Sequence, residues 1–256
     1  MTTLSHTIWF PSLGGNMGII SKIFKETLSE ELHGLEYKLI DAKYKSDELF
    51  TFDLDVQSED QTTYIKNKIL SRFGQEYAPY KSEPGLIVQT RMLNPDQVGF
   101  GVFCRTNAAT DVLLPLYELR SLVGSSKVSS RKIVEAFGFV ENFPLELVVD
   151  TLEKGKTKMI FSDTQHQLFQ SWFEENVDRL IISMTYSSDV KAIVRKLSVT
   201  QYIDRIYDLD PLTTIIVCNK GTRGTGLLPI IGKLLHSVPI GIFSPSKIRK
   251  LRQTPS

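Results

Sequence analysis

The sequence predicts an α+β protein in which a central five-stranded OB-type β-barrel is flanked by two ferredoxin-like βαββα units. Three observations carry that prediction. The two ends of the chain follow the same order of strand-like and helix-like segments, β-α-β-β-α, without an obvious sequence repeat. Between them lie five strand-like runs and one inserted helix. Within those runs, Val98-Gly99-Phe100-Gly101-Val102-Phe103 interleaves glycine with apolar residues. Glycine weakens a strand unless another backbone or a ligand comes close, or the strand bends sharply as a small closed barrel requires.

The chain of 256 residues has room for one large domain or for two to three small ones. Its apolar share of 41% and charged share of 23% exclude a disordered chain. No apolar run approaches the roughly 20 residues needed to span a bilayer. The start, Met1-Thr2-Thr3-Leu4-Ser5-His6, lacks the basic and apolar regions of a signal peptide. These readings lead us to expect a cytoplasmic protein with no membrane partner. Cys104 and Cys218 sit in apolar strand-like runs and are expected as buried free thiols. Net charge is only +1, but it is unevenly spread. Residues 1–63 carry five Lys/Arg against eleven Asp/Glu, whereas residues 212–256 carry seven Lys/Arg and no acid. Such asymmetry points the C-terminal end at a polyanion or an acidic partner, or leaves it a solvated basic tail.

In order along the chain, residues 7–11 form a short strand-like run ended by Pro11 and Gly14-Gly15. Ile19, Ile20, Ile23, Phe24, Leu28 and Leu32 recur at helical spacing over residues 17–32, and Gly34 closes that helix. Residues 35–45 and 48–56 read as a hairpin, and residues 59–73 as a helix capped by Ser58. This first unit is expected over 1–83, with a Pro-containing polar boundary at 75–83. The barrel is expected over 84–163, with strands at 85–91, 98–103, 110–115, 144–151 and 156–162 and a helix at 128–138. The last unit, 164–256, opens with a linker helix capped at Ser162-Asp163, whose Leu168, Phe169, Trp172 and Phe173 are expected to pack between domains. Strands at 179–186, 205–209, 213–219 and 239–243 alternate there with helices at 188–203 and 226–235, before a basic tail.

Residues 98–103, 113–119 and 144–162 together resemble the S-one-type repeat, the OB-type RNA-binding domain named after the largest small-subunit ribosomal protein. That family shows a strand, then Gly-Phe/Tyr-Gly-Val/Ala-Phe-Val, a turn, an apolar run ending in Ser-Glu-Leu, and a closing hairpin. Pro115 stands where the family often carries a histidine, and Tyr117 occupies the serine position. The chain is also similar to an uncharacterised archaeal protein family in residues 111–119, 131–133, 142–146, 218–222 and 226–232. That second resemblance implies lineage and fold rather than an activity.

An OB surface of this kind stacks bases on aromatics while basic residues follow the phosphates. Phe100, Phe103 and Tyr117 are the candidate platforms, and Arg91, Arg105 and Lys158 the candidate phosphate contacts. Strand alternation turns Phe100 and Phe103 to opposite sides, and the resemblance implies Phe100 in the core and Phe103 on the binding face. Lys247, Arg249, Lys250 and Arg252 would add salt-dependent affinity. In the run 221–226, Lys220, Gly221, Arg223, Gly224 and Gly226 follow a strand and open a helix, a place where free N–H groups hold phosphate. The run matches neither the Walker nor the dinucleotide glycine pattern, so a plain turn without ligand stands beside that reading. Asp53 and Asp55 share a strand face, a weak pointer to Mg²⁺, since hard-metal sites need several converging oxygens. His6, His33, His166 and His236 show no metal-ligand spacing, and no nucleophile elbow is present.

The expected function is therefore non-catalytic RNA binding in translation or RNA metabolism, with single-stranded, ribosomal or structured RNA as partner and no cofactor, metal or catalytic residue. One alternative is a protein-interaction module that docks on the ribosome or RNA polymerase. Another is an enzyme acting on a nucleotide or nucleic acid through Asp53 and Asp55 or the glycine-rich turn.

Overall fold

The structure is a computed structural model that describes residues 2–9, 17–46, 49–73, 83–106, 111–153, 156–235 and 238–254. It is mixed α+β, and the chain divides into two compact units: residues 1–80 with 107–110, and the remainder. Among the described residues no helix is long and apolar enough to cross a membrane.

The first unit runs β1 (Thr2–Trp9), α1 (Met17–Glu31), β2 (Tyr37–Ser46), β3 (Leu49–Val56) and α2 (Glu59–Phe73). Its sheet has the order β1-β3-β2, antiparallel throughout. The first strand starts at Thr2 rather than at residue 7, because all of Thr2–Trp9 pairs with β3 in unbroken register. Alternation along β3 buries Phe50, Phe52, Leu54 and Val56 on one face. Phe24 of α1 seats in that face, with its ring centre 4.7 Å from Phe50, 4.8 Å from Phe52 and 5.2 Å from Phe73 of α2.

The second unit begins with a barrel made of β4 (Ile87–Leu93), β5 (Gly101–Thr106), β6 (Asp111–Pro115), β7 (Pro144–Glu153) and β8 (Lys156–Phe161). The strands close in the order β4-β5-β6-β8-β7, with β6 parallel to β8 and every other pair antiparallel. Two helices, α3 (Leu116–Ser121) and α4 (Ser130–Phe137), lie between the third and fourth strands, α4 being the inserted helix expected at 128–138. Gly101 shows why glycine occurs in the second strand. A Cβ there would come within 3.0 Å of the Pro115 Cα, so the close approach of two backbones demands it.

The chain continues through α5 (Asp163–Glu175), β9 (Arg179–Ser183), α6 (Ser187–Lys196), β10 (Ile203–Asp210), β11 (Thr213–Cys218), α7 (Gly224–Ile231), β12 (Ile240–Phe243) and α8 (Pro245–Arg252). The second sheet, β10-β11-β9-β12, is antiparallel and has the ferredoxin-like order, with the closing strand present. Helices α6 and α7 cover one face through Val190, Val194, Leu227 and Ile231. The residues expected as a basic tail instead form α8, whose Ile248 is fully buried.

Helix α5 is buried between the barrel and the last sheet of the second unit, as its aromatic stripe predicts. Ser162 caps it, its Oγ accepting from the Gln165 N–H at 3.0 Å. Phe169 and Trp172 are 3% and 2% exposed. Phe169 packs on Phe161 of the barrel and on Phe137 of α4, while Trp172 packs on Phe243 of β12, with ring centres 5.3 to 5.9 Å apart. Burying each such side chain contributes roughly 1.5–3 kcal/mol. That aromatic layer joins barrel and sheet.

Candidate nucleic-acid interface

Pleating of β5 puts Val102 and Cys104 into the barrel, both fully buried, and turns Phe103 and Arg105 outward. Cross-strand register then lines up Leu93 of β4, Phe103, Leu113 of β6 and Lys158 of β8 in one outer row. This is the face of the second and third strands, by which five-stranded barrels of this plan bind oligonucleotides.

Phe100 corrects the expectation from regular alternation. It precedes β5, so the strand does not set its direction, and it is 57% exposed instead of buried in the core. Its ring meets that of Phe103, itself 38% exposed, edge to face at 6.0 Å. The sequence pattern starts the strand too early and so sets this candidate platform in the core. The hydrogen bond from Leu116 N–H to the Phe100 carbonyl, 2.9 Å, holds the segment beside the first turn of α3.

Tyr117, 52% exposed, opens that same turn. Its hydroxyl donates to Asp150 Oδ2 at 3.4 Å, and burial together with the Asp150 and Glu118 charges pushes its pKa up. The Lys158 charge counters part of that shift. Burial also raises the Glu118 carboxyl above the ordinary range. Arg105 is ion-paired with its register partner Asp111. Phe103 and Lys158 thus share one outer row of the barrel, with Phe100 against Phe103 and Arg105 on the same side of β5, while Tyr117 reaches from α3 to Asp150 of β7.

The other candidates lie elsewhere. Arg91 is 8% exposed, ion-paired with Asp210 and donating to the Asn142 carbonyl at 3.0 Å. The last sheet covers the outer face of β4 at this point, so Arg91 serves the fold and leaves the candidate surface. Helix α8 divides its four bases about the buried Ile248. Lys247 pairs with Glu135 of α4 at 2.7 Å, whereas Arg249 and Arg252 lie over the Phe173 ring of α5. Lys250 points to solvent.

The glycine-rich turn is already occupied by the protein's own groups. Helix α7 begins at Gly224, two residues before the expected start, and the Gly224 N–H donates to Asp178 Oδ2 at 3.0 Å. Gly226 N–H donates to the Arg223 carbonyl, also at 3.0 Å. Asp178 thus places a carboxylate at the helix end where phosphate was expected on Lys220, Gly221, Arg223, Gly224 and Gly226. Asp53 and Asp55 share the outer face of β3, and Asp55 accepts from the Thr3 hydroxyl at 2.7 Å. The described residues contain no group of three or more His, Cys, Asp or Glu placed to hold a metal. Cys104 and Cys218 are buried free thiols.

A comparison with curated proteins found no match to the chain. Residues 89–173 match the DUF2110 central domain, which takes in the barrel and α5. Residues 177–243 match the DUF2110 C-terminal domain, which takes in the last sheet. The chain thus carries the central and C-terminal domains of the uncharacterised DUF2110 family, which together cover more than half of it.

Proposed function

We propose that this protein is a non-catalytic RNA-binding protein of translation or RNA metabolism that holds single-stranded segments of ribosomal or structured RNA on its barrel. The observation that carries the reading is the exposed pair Phe100 and Phe103, whose rings meet edge to face on the outer surface of the barrel. Large aromatics left in water cost burial energy, and several in one patch mark a binding surface. Bases stack on such rings regardless of sequence, and Arg105 and Lys158 supply positive charge at the edge of the row. The likeness of residues 98–103, 113–119 and 144–162 to the S-one-type repeat supports the same ligand class.

Fluorescence anisotropy with single-stranded RNA, duplex RNA and single-stranded DNA at two salt concentrations tests the reading. Salt-sensitive binding to single-stranded RNA that weakens in Phe103→Ala supports it. A folded protein that binds none of the three overturns it.

Docking of the barrel on a protein partner, such as the surface of the ribosome or RNA polymerase, is favoured by one feature. Leu86 and Ile87 at the start of β4 are 42% and 52% exposed, an apolar edge that stacking on nucleic acid does not require. Complex formation that survives Phe103→Ala but fails in Ile87→Ser selects that reading.

A further inference from the structure

Helices α3, α5 and α8 surround an open cleft of about 540 Å³. Its floor is apolar, formed by Leu122, Phe137 and Phe169, which are 6%, 2% and 3% exposed. His166, Gln167 and Gln170 along its rim offer donors and acceptors. At its mouth the Arg252 guanidinium lies 4.1 Å from the centre of the Phe173 ring, and that of Arg249 lies 5.8 Å from the same ring. Arg252 Nη2 donates to the Leu122 carbonyl at 3.2 Å, which uses one of five N–H donors. The Arg249 guanidinium makes no hydrogen bond or ion pair among the described residues. One carboxylate, Glu174, shares the cleft, and it accepts from Gln170 Nε2 at 2.8 Å. Arg252 lines the cleft opposite Glu174, and Arg249 stands outside that lining on the same Phe173 ring.

We infer that this cleft binds a phosphorylated nucleoside, with its phosphate on Arg249 and Arg252 and its base over the apolar floor. The volume, apolar floor and few polar rim groups are those of a small-molecule site. Guanidinium groups bind phosphate through paired N–H donors, and stacking on one ring fixes them beforehand, which lowers the entropy lost on binding. The base edge meets His166, Gln167 and Gln170. The phosphorylated nucleoside is either a free mononucleotide or the 5′ end of an RNA chain. This site is separate from the Phe100–Phe103 surface and goes beyond the reading built on it.

Isothermal titration of the full chain with the four ribonucleoside monophosphates, with adenosine and with inorganic phosphate tests the inference. At least one monophosphate binds, while adenosine and inorganic phosphate each bind ten-fold or more weakly. Arg252→Gln and Arg249→Gln each weaken the monophosphate ten-fold or more. Arg249, held only by its ring contact, provides the variant least able to disturb folding, checked by thermal melting. Phe103→Ala leaves monophosphate affinity unchanged, so this site and the barrel surface fail or succeed separately. Competition by a 5′-phosphorylated oligoribonucleotide, but not by its 5′-hydroxyl form, identifies the RNA end as the source. Competition by neither identifies the free nucleotide. Absence of binding by all four monophosphates, or unchanged affinity in folded Arg249→Gln, overturns the inference.

Discussion

Gly138 and Gly241 meet backbone to backbone, closing the barrel's inserted helix onto an edge of the last sheet. A Cβ on Gly241 would stand 2.6 Å from the Gly138 carbonyl carbon and 2.9 Å from its Cα. A Cβ on Gly138 would stand 2.5 Å from the Ile242 carbonyl carbon. Gly138 also ends α4 in the left-handed region at φ 68°, and Ser244 N–H donates to the Ala136 carbonyl at 2.9 Å across the same junction. We expect Gly241→Ala to destabilise the second unit by about 1–3 kcal/mol through overpacking. At roughly 2–4 °C per kcal/mol, calorimetry resolves that loss. Gly138→Ala adds left-handed strain of about 1–2 kcal/mol. Gly124, at φ 63° with nothing near its missing Cβ, is the control for strain alone. A Gly241→Ala melt that matches wild type would count against the contact.

Arg91 and Asp210 tie the barrel to the last sheet from side chains only 9% and 16% exposed. Removing one partner leaves the other charge buried, so Arg91→Met is expected to cost about 3–5 kcal/mol. The double change Arg91→Met with Asp210→Leu should recover part of that loss, since no charge is then stranded. Urea denaturation of the two single variants and the double variant measures the coupling.

Phe100→Ala and Phe103→Ala should leave the melting temperature close to wild type, because both rings already face water. Each should weaken RNA binding by about 1–3 kcal/mol, the worth of one stacked base. A ring that lowers stability without changing affinity would belong to the fold instead.

Burial pushes the Cys104 and Cys218 thiols up to about 12 from 9.0. Both stay protonated at neutral pH and out of reach, so a thiol reagent at pH 8 should label neither in the native chain and both in denaturant. The folded state holds these protons more tightly than the unfolded state. Their contribution to stability is therefore complete below pH 9 and is lost as pH rises from about 9 toward 12. A Cys104→Ser, Cys218→Ser double variant should show a flatter loss over that window.

Local spacing alone revealed α1, α2, the alternation of β3 and the cap of α5 at Ser162. The burial of both thiols and the five-strand barrel inventory were also legible, because each depends on neighbours two to four residues apart. The surface that bears on function was only partly so. Strand positions pointed to Arg105 and Lys158, but the place of each outward side chain depends on what distant chain covers it. Asp210, 119 residues away, pairs with Arg91 inside the fold, and nothing beside Arg91 in the sequence announces that. Phe100 stands outside because β5 begins at Gly101, three residues later than its glycine pattern suggests. The basic residues after Ser244 became α8 because Ile248 and Phe173 give a helix somewhere to pack, and that packing divides its charges between two flanks. Local periodicity thus determined the elements. Long-range pairing decided which faces stay open to a partner, because burial is a property of the pair of surfaces and not of either one alone.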